Sequence, residues 1–232
     1  MIGNVYFTFG NAVILWLVIT CGCAFALLPY QNPITGNILV TSLLFFNNLN
    51  IFIALTEICL GYQIAYIKVH YQHLRKTYRV GQEWSAVWQF LLIPLSFRQL
   101  FDTKTWARMW STYALFDPSY QNHESFGFFI DVGNGWTTIL PCVLLNVGMI
   151  APDRVSPLVL GCVTIASYWQ ILYGTLIYFL SFLFNRRYNG HNLLNIMTFV
   201  IATNGIWILF PAMAIYAGVI VLRDGNMAVF SA

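Results

Sequence analysis

The chain has 232 residues, 59% hydrophobic and only 8% charged, a balance far from that of a water-soluble globular domain. A net charge of +3, from 11 basic and 8 acidic residues without a clustered polybasic tract, argues against nucleic acid and leaves membrane lipid as the natural surrounding. The five cysteines (Cys21, Cys23, Cys59, Cys142, Cys162) all fall in apolar runs with no CxxC, so they read as small core hydrophobes rather than zinc ligands or disulfide partners.

In chain order, "MIGNVYFTFGNAVILWLVITCGCAF" lacks a basic n-region and a clear small-residue cleavage site, so the first apolar run is expected to stay as an anchor. A spanning helix needs roughly 20 mostly apolar residues. Five segments qualify, at about 10–29, 37–67, 127–150, 156–184 and 194–222. Polar or turn-forming connections follow the first ("PYQNPITG"), the third ("APDRVS") and the fourth ("NRRYNGHN"). Between the second and third lies a basic, aromatic stretch, 68–126. Its apolar piece Trp84–Phe97 is too short to span and carries a proline, which predicts an interfacial or re-entrant helix. The expected fold class is an all-α integral membrane protein, a five-transmembrane-helix bundle. Its parts are an anchor and loop over 1–36, a membrane domain over 37–222 with its interfacial insertion at about 68–126, and a tail over 223–232.

Five spans would place Lys68, Arg75, Lys76, Arg79, Arg98, Lys104, Arg108, Arg186 and Arg187 on the side of the N-terminus, against Arg154 and Arg223 on the other. That bias predicts a cytosolic N-terminus.

Of the acidic residues, Glu83, Asp102, Asp117, Glu124, Asp153 and Asp224 fall in loops or at span ends, leaving Glu57 and Asp131 inside spans. A carboxyl in hydrocarbon costs about 2.5–3.5 kcal/mol or more, so it usually faces the bundle interior and marks a site. Asn47, Asn50, Ala54 and Glu57 follow one another at helical intervals, as do Asp131, Asn134 and Thr138, so each set shares one face of its helix. Interhelical hydrogen bonding alone would account for the Asn and Thr residues, but it does not require two acids. The fourth span adds Gln170, Tyr173, Thr175 and Tyr178, and the fifth adds Asn204, Trp207 and Pro211.

An acidic cavity walled by aromatic faces suits an apolar ligand that becomes cationic. A protonated carboxyl in a dry site acts as a general acid, and protonating an alkene or opening an epoxide creates a carbocation that aromatic faces shield from water. The four histidines lie outside span interiors, and neither a phosphate-binding glycine loop nor a dinucleotide fingerprint occurs, so no metal and no cofactor is expected.

Three stretches carry a family resemblance: "WSTYALFDPSY" (Trp110–Tyr120), "YWQILYGTLIYF" on the fourth span and "NGIWILFP" on the fifth. In order and spacing the chain from about Asn37 to Leu222 resembles the EXPERA-domain family, which includes sterol isomerase and sigma-two-receptor members. The resemblance implies a four-helix EXPERA-like core, an endoplasmic-reticulum membrane, and a cavity for sterols, terpenoids or cationic amphiphiles. It sets Glu57 and Asp131 at the family's acidic positions, and Asn204 and Trp207 at its polar and cation-facing ones. The chain departs from the isomerases by Ile53 in place of a His, by Asp rather than Glu at 131, by Thr175 in place of an acid, and by an insertion over Val80–Phe101.

The expected function is a membrane-embedded terpenoid or sterol isomerase or cyclase. Asp131 and Glu57 would be catalytic, and Asn50, Asn134, Thr138, Gln170, Tyr173, Thr175, Tyr178, Asn204 and Trp207 would bind substrate. The expected partners are a hydrophobic terpenoid or sterol ligand, membrane lipid and a second copy in a homodimer. The alternatives are a non-catalytic lipid or cationic-amphiphile binder, or a structural subunit of a membrane complex.

Overall fold

Runs of Leu, Ile, Val and Phe without an interrupting charge satisfy their backbone polar groups internally as helix, and the long apolar segments do so here. The computed structural model describes residues 7–28 and 37–231, and the expected loop "PYQNPITG" lies outside the described residues. In chain order the helices are α1 (Phe9–Ala26), α2 (Ile38–Tyr62), α3 (Ile64–Thr77), α4 (Glu83–Leu91), α5 (Thr103–Tyr113), α6 (Phe126–Thr137), α7 (Ile139–Ile150) and α8 (Pro157–Phe184). The short α9 (Leu193–Asn195), a π-helical segment (Ile196–Ala202) and α10 (Thr203–Asp224) then run on as one long helix, Leu193–Asp224.

Four of these helices (Phe9–Ala26, Ile38–Tyr62, Pro157–Phe184 and Leu193–Asp224) are long and apolar enough to cross a bilayer, as an integral membrane protein requires. The segment expected as a straight third span, 127–150, is a pair of helices, α6 and α7, bent by 46° at Thr138. Pro141 explains the bend. It lacks an N–H, and its ring crowds the carbonyl four residues earlier, at Thr137. The second apolar run also ends sooner than its hydropathy suggests: α2 stops at Tyr62, and the chain turns at Gln63 into the basic α3.

The long connection 68–126 is mostly helical. Asp102 caps α5, its carboxylate accepting from the Lys104 amide (3.3 Å), the Thr105 amide (3.2 Å) and the Thr105 hydroxyl (2.9 Å). Burial acts to raise the Asp102 pKa, but these hydrogen bonds prevail and hold it below the ordinary carboxylate value. Between Trp84 and Ser96 only α4 is helical, at 9 residues too short to span, and a 3-10 turn opens at Phe97. Phe90 and Leu95 turn inward while Trp88, Leu92 and Phe97 stay exposed, the two-sided character of an interfacial piece. Phe90 packs on Phe9 at 4.1 Å between ring centres, and the Leu95 amide donates to the Phe7 carbonyl at 2.8 Å, tying the start of α1 to this segment.

The residues group into two compact units that interleave along the sequence. The first takes Met1–Trp16, Leu55–Val132 and Tyr178–Thr203, and the second takes Leu17–Ala54, Gly133–Ile177 and Asn204–Ala232. The core of the first is aromatic, built on Trp110, Tyr120, Phe128, Tyr178 and Phe182 with Leu60 and Ile67. Aliphatic packing dominates the second, around Leu43, Leu44, Cys142, Leu145, Ile171, Ala217 and Val221, with Phe46 and Tyr168. Cys21, Cys59 and Cys142 are buried as expected of small hydrophobes. Cys23 and Cys162 differ from that expectation, being exposed.

Candidate functional site

Both acids read from the sequence fall in the first unit. Glu57 stands on α2 and is buried, Asp131 stands on α6 and is half-buried, and the two lie within electrostatic reach of each other. The close approach of α2 and α6 follows from Gly61: a Cβ there would meet the Val132 methyls at 3.1 and 3.3 Å.

Tyr120, on the short turn before α6, lies within electrostatic reach of Asp131. Burial, reinforced by the negative charge of Asp131, pushes the Tyr120 hydroxyl well above its ordinary pKa, so it stays protonated. Around it lies an aromatic nest. Trp110 stacks on Tyr120 at 5.2 Å, Tyr113 meets it edge-on at 5.0 Å, and the Trp110 indole N–H is fixed by the Thr56 carbonyl, next to Glu57, at 2.7 Å.

Below the nest in sequence sits an acid that loop position had disguised. Asp117 is fully buried, with Oδ2 accepting from the Tyr178 hydroxyl at 2.8 Å and Oδ1 from Arg187 Nη1 at 3.1 Å and the Ser119 amide at 3.0 Å. Tyr178, expected to touch substrate, is thus a partner of Asp117. Glu83 is equally hidden, at 1% exposure, its Oε2 accepting from the Gly81 amide (2.8 Å) and Asn195 Nδ2 (3.1 Å). The spacing in "WSTYALFDPSY" was the one available signal for Trp110, Tyr113, Asp117 and Tyr120, since each falls on the same patterned stretch.

The remaining expected site residues belong to the second unit and form their own network. Asn50 Nδ2 donates to the Thr138 hydroxyl at 3.1 Å, and Asn50 Oδ1 accepts from the Trp207 indole at 2.8 Å. Asn47 accepts from the Tyr168 hydroxyl and donates to Asn146 at 2.7 Å. Gln170 Nε2 donates to Asn134 (3.1 Å) and Thr137 (2.7 Å). Thr175 spends its hydroxyl on the Ile171 carbonyl of its own helix, at 2.9 Å. Tyr173 is 52% exposed and stacks on Trp169, while Asn204 is half-buried at the start of α10. Asn47, Asn50 and Gln170 do what interhelical polar residues do in lipid, each bonding to a polar group of another helix.

Among the described residues no group of three His, Cys, Asp or Glu side chains is arranged to hold a metal ion. The described residues define an all-helical protein of membrane type, with four helices long and apolar enough to span. Compared with protein-family models, with curated proteins and with solved structures, the chain finds no match in any of the three.

Proposed function

We propose that this protein is a membrane-embedded, cofactor-independent isomerase or cyclase acting on a terpenoid or sterol-type substrate, with Glu57 and Asp131 as its acid–base pair. The observation that carries the reading is that these two carboxyl groups, on different helices, lie within electrostatic reach of each other in the unit that holds the stacked rings of Trp110 and Tyr120. One acid, protonated, gives its proton to an alkene carbon or an epoxide oxygen. The π pair forms the new C–H bond, or the C–O bond breaks and its pair stays on oxygen, and a carbocation remains in either case. The other acid, as carboxylate, removes a proton from a neighbouring carbon, and the C–H pair closes a new double bond. Where an internal alkene attacks the cation first, the product is a ring. Trp110 and Tyr120 offer π faces to the cation, a role that the first unit supplies without Trp207. The EXPERA-like resemblance supports an endoplasmic-reticulum-type membrane and this substrate class.

The test is turnover. Microsomes holding the full chain are incubated with a sterol, linear prenyl alcohols and their epoxides, without added cofactor, and isomeric products are resolved by gas chromatography and mass spectrometry. Glu57→Gln and Asp131→Asn should each reduce turnover by about 10²–10⁴-fold at unchanged expression and melting midpoint. Full turnover in either variant sinks the acid–base assignment.

A second reading, a non-catalytic receptor for a sterol or cationic amphiphile, is favoured by the same acid and aromatic set. It predicts saturable binding of a cationic amphiphile, lost in Glu57→Gln, with no product from any substrate.

A further inference from the structure

α3 follows the span α2 directly, and α2 ends on Tyr62, 68% exposed, the kind of side chain that marks a membrane–water boundary. The far end of α3 is tied to the interfacial α4. The Tyr78 hydroxyl, just past the last turn of α3, donates to Gln89 of α4, and Leu74 shares one apolar cluster with Ala86 and Val87 of that helix. α4 and the residue after it leave Trp88 and Leu92 exposed, as a piece at the bilayer surface does. With both ends held at this level, α3 runs along the surface rather than away from it.

The two faces of α3 differ. Ile67 and Leu74 are buried. Lys68, Gln72 and Arg75, at helical intervals, stand exposed on one face, with Lys76 beside them and Arg79 in the turn that follows. Among the described residues none of these four cations makes an ion pair. No carboxylate is at hand to neutralise them, because the only acid between Gln63 and Phe101 is Glu83. That acid is 1% exposed, and its Oε2 accepts from the Gly81 amide and Asn195 Nδ2. Four like charges at the level of the headgroups therefore take their counter-charge from outside the protein. A headgroup of net negative charge supplies it, whereas a choline headgroup brings a cation of its own. We infer that this face of α3 binds the headgroups of acidic phospholipids. Its depth at the bilayer surface favours lipid over an acidic segment of a soluble partner. The inference goes beyond the catalytic proposal and does not depend on it.

For the test, the full chain is reconstituted in phosphatidylcholine vesicles with a trace of spin-labelled phosphatidylserine or spin-labelled phosphatidylcholine. The motionally restricted fraction of each label is read by electron paramagnetic resonance. At low ionic strength the serine lipid should associate about fivefold or more strongly than the choline lipid, the effect of one Lys or Arg near acidic headgroups. Salt at about 1 M, where the screening length is about 3 Å, should remove most of the difference. Lys68→Gln, Arg75→Gln and Lys76→Gln combined should bring the two lipids to near parity. Each of these side chains is exposed, so the fold should be kept. Lys68→Arg with Lys76→Arg keeps the charge and should keep the preference, and Arg154→Gln, a cation lost elsewhere, should leave it unchanged. Equal association of the two lipids at low salt, a preference that survives the triple substitution, or an equal loss in Arg154→Gln overturns the proposal.

Discussion

Asp117 shows how much of a residue's role depends on neighbours that local sequence does not name. It lies in a polar stretch, "FDPSYQNHES", that reads as solvated loop, yet its carboxylate is fully buried and takes donors from Tyr178, Arg187 and Ser119. Glu57 was legible by contrast, because a carboxyl inside an apolar run stands out against its surroundings. Asp117→Ala would leave the mostly buried Arg187 guanidinium without its counter-charge. Removing one partner of a buried ion pair costs about 3–5 kcal/mol, so the variant should unfold far earlier in a denaturant titration of the detergent-solubilised protein. A loss below about 1 kcal/mol, the range of an exposed pair, would show that the bridge does not hold the first unit together.

At the scale of elements, the apolar runs were readable and their interruptions were not. Hydropathy placed five runs, but the tilt at Thr138 came from Pro141 and the early stop of α2 from the turn at Gln63. In the second unit the contact of α8 with α10 rests on glycine. A Cβ on Gly161 would come within 2.5 Å of Leu222 Cγ and 3.0 Å of the Gly218 carbonyl. Small residues at such crossings let helix backbones approach closely. Gly161→Ala should therefore force the two helices apart and cost about 1–3 kcal/mol, read as a lower unfolding midpoint. By comparison Gly22, with open space where its Cβ would be, should accept alanine without loss. Equal stability of Gly161→Ala and wild type would mean that Leu222 moves aside freely.

For the whole molecule, stability should depend on two histidines outside the spans. Burial lowers the His70 pKa from its ordinary 6.5, helped by the positive charges of Arg108 and His73, and its Nδ1 lies 2.6 Å from the Ser111 hydroxyl. His191 is lowered as well, chiefly by burial and by Arg75, against the opposing pull of Glu83 and Asp117. Because the folded protein disfavours the charged form of both, the unfolded chain binds more protons between the lowered values and 6.5. This part of the stability is complete above pH 6.5 and is lost as pH falls below it. Melting midpoints recorded from pH 8 to 5 should thus decline below about 6.5, with a shallower decline in His70→Gln. A slope unchanged by that substitution would remove His70 as a contributor.

The sequence by itself determined the helical class, the apolar runs and the two acids that stand in them, because hydropathy and helical period are sums over neighbouring residues. Only the tertiary structure decided which polar groups meet. Asn50 finds Trp207 across 157 positions, and Asp117 finds Arg187 across 70. In a chain whose surroundings cannot hydrogen-bond, each buried polar group must find its partner within the protein, and that partner is set by how the helices pack.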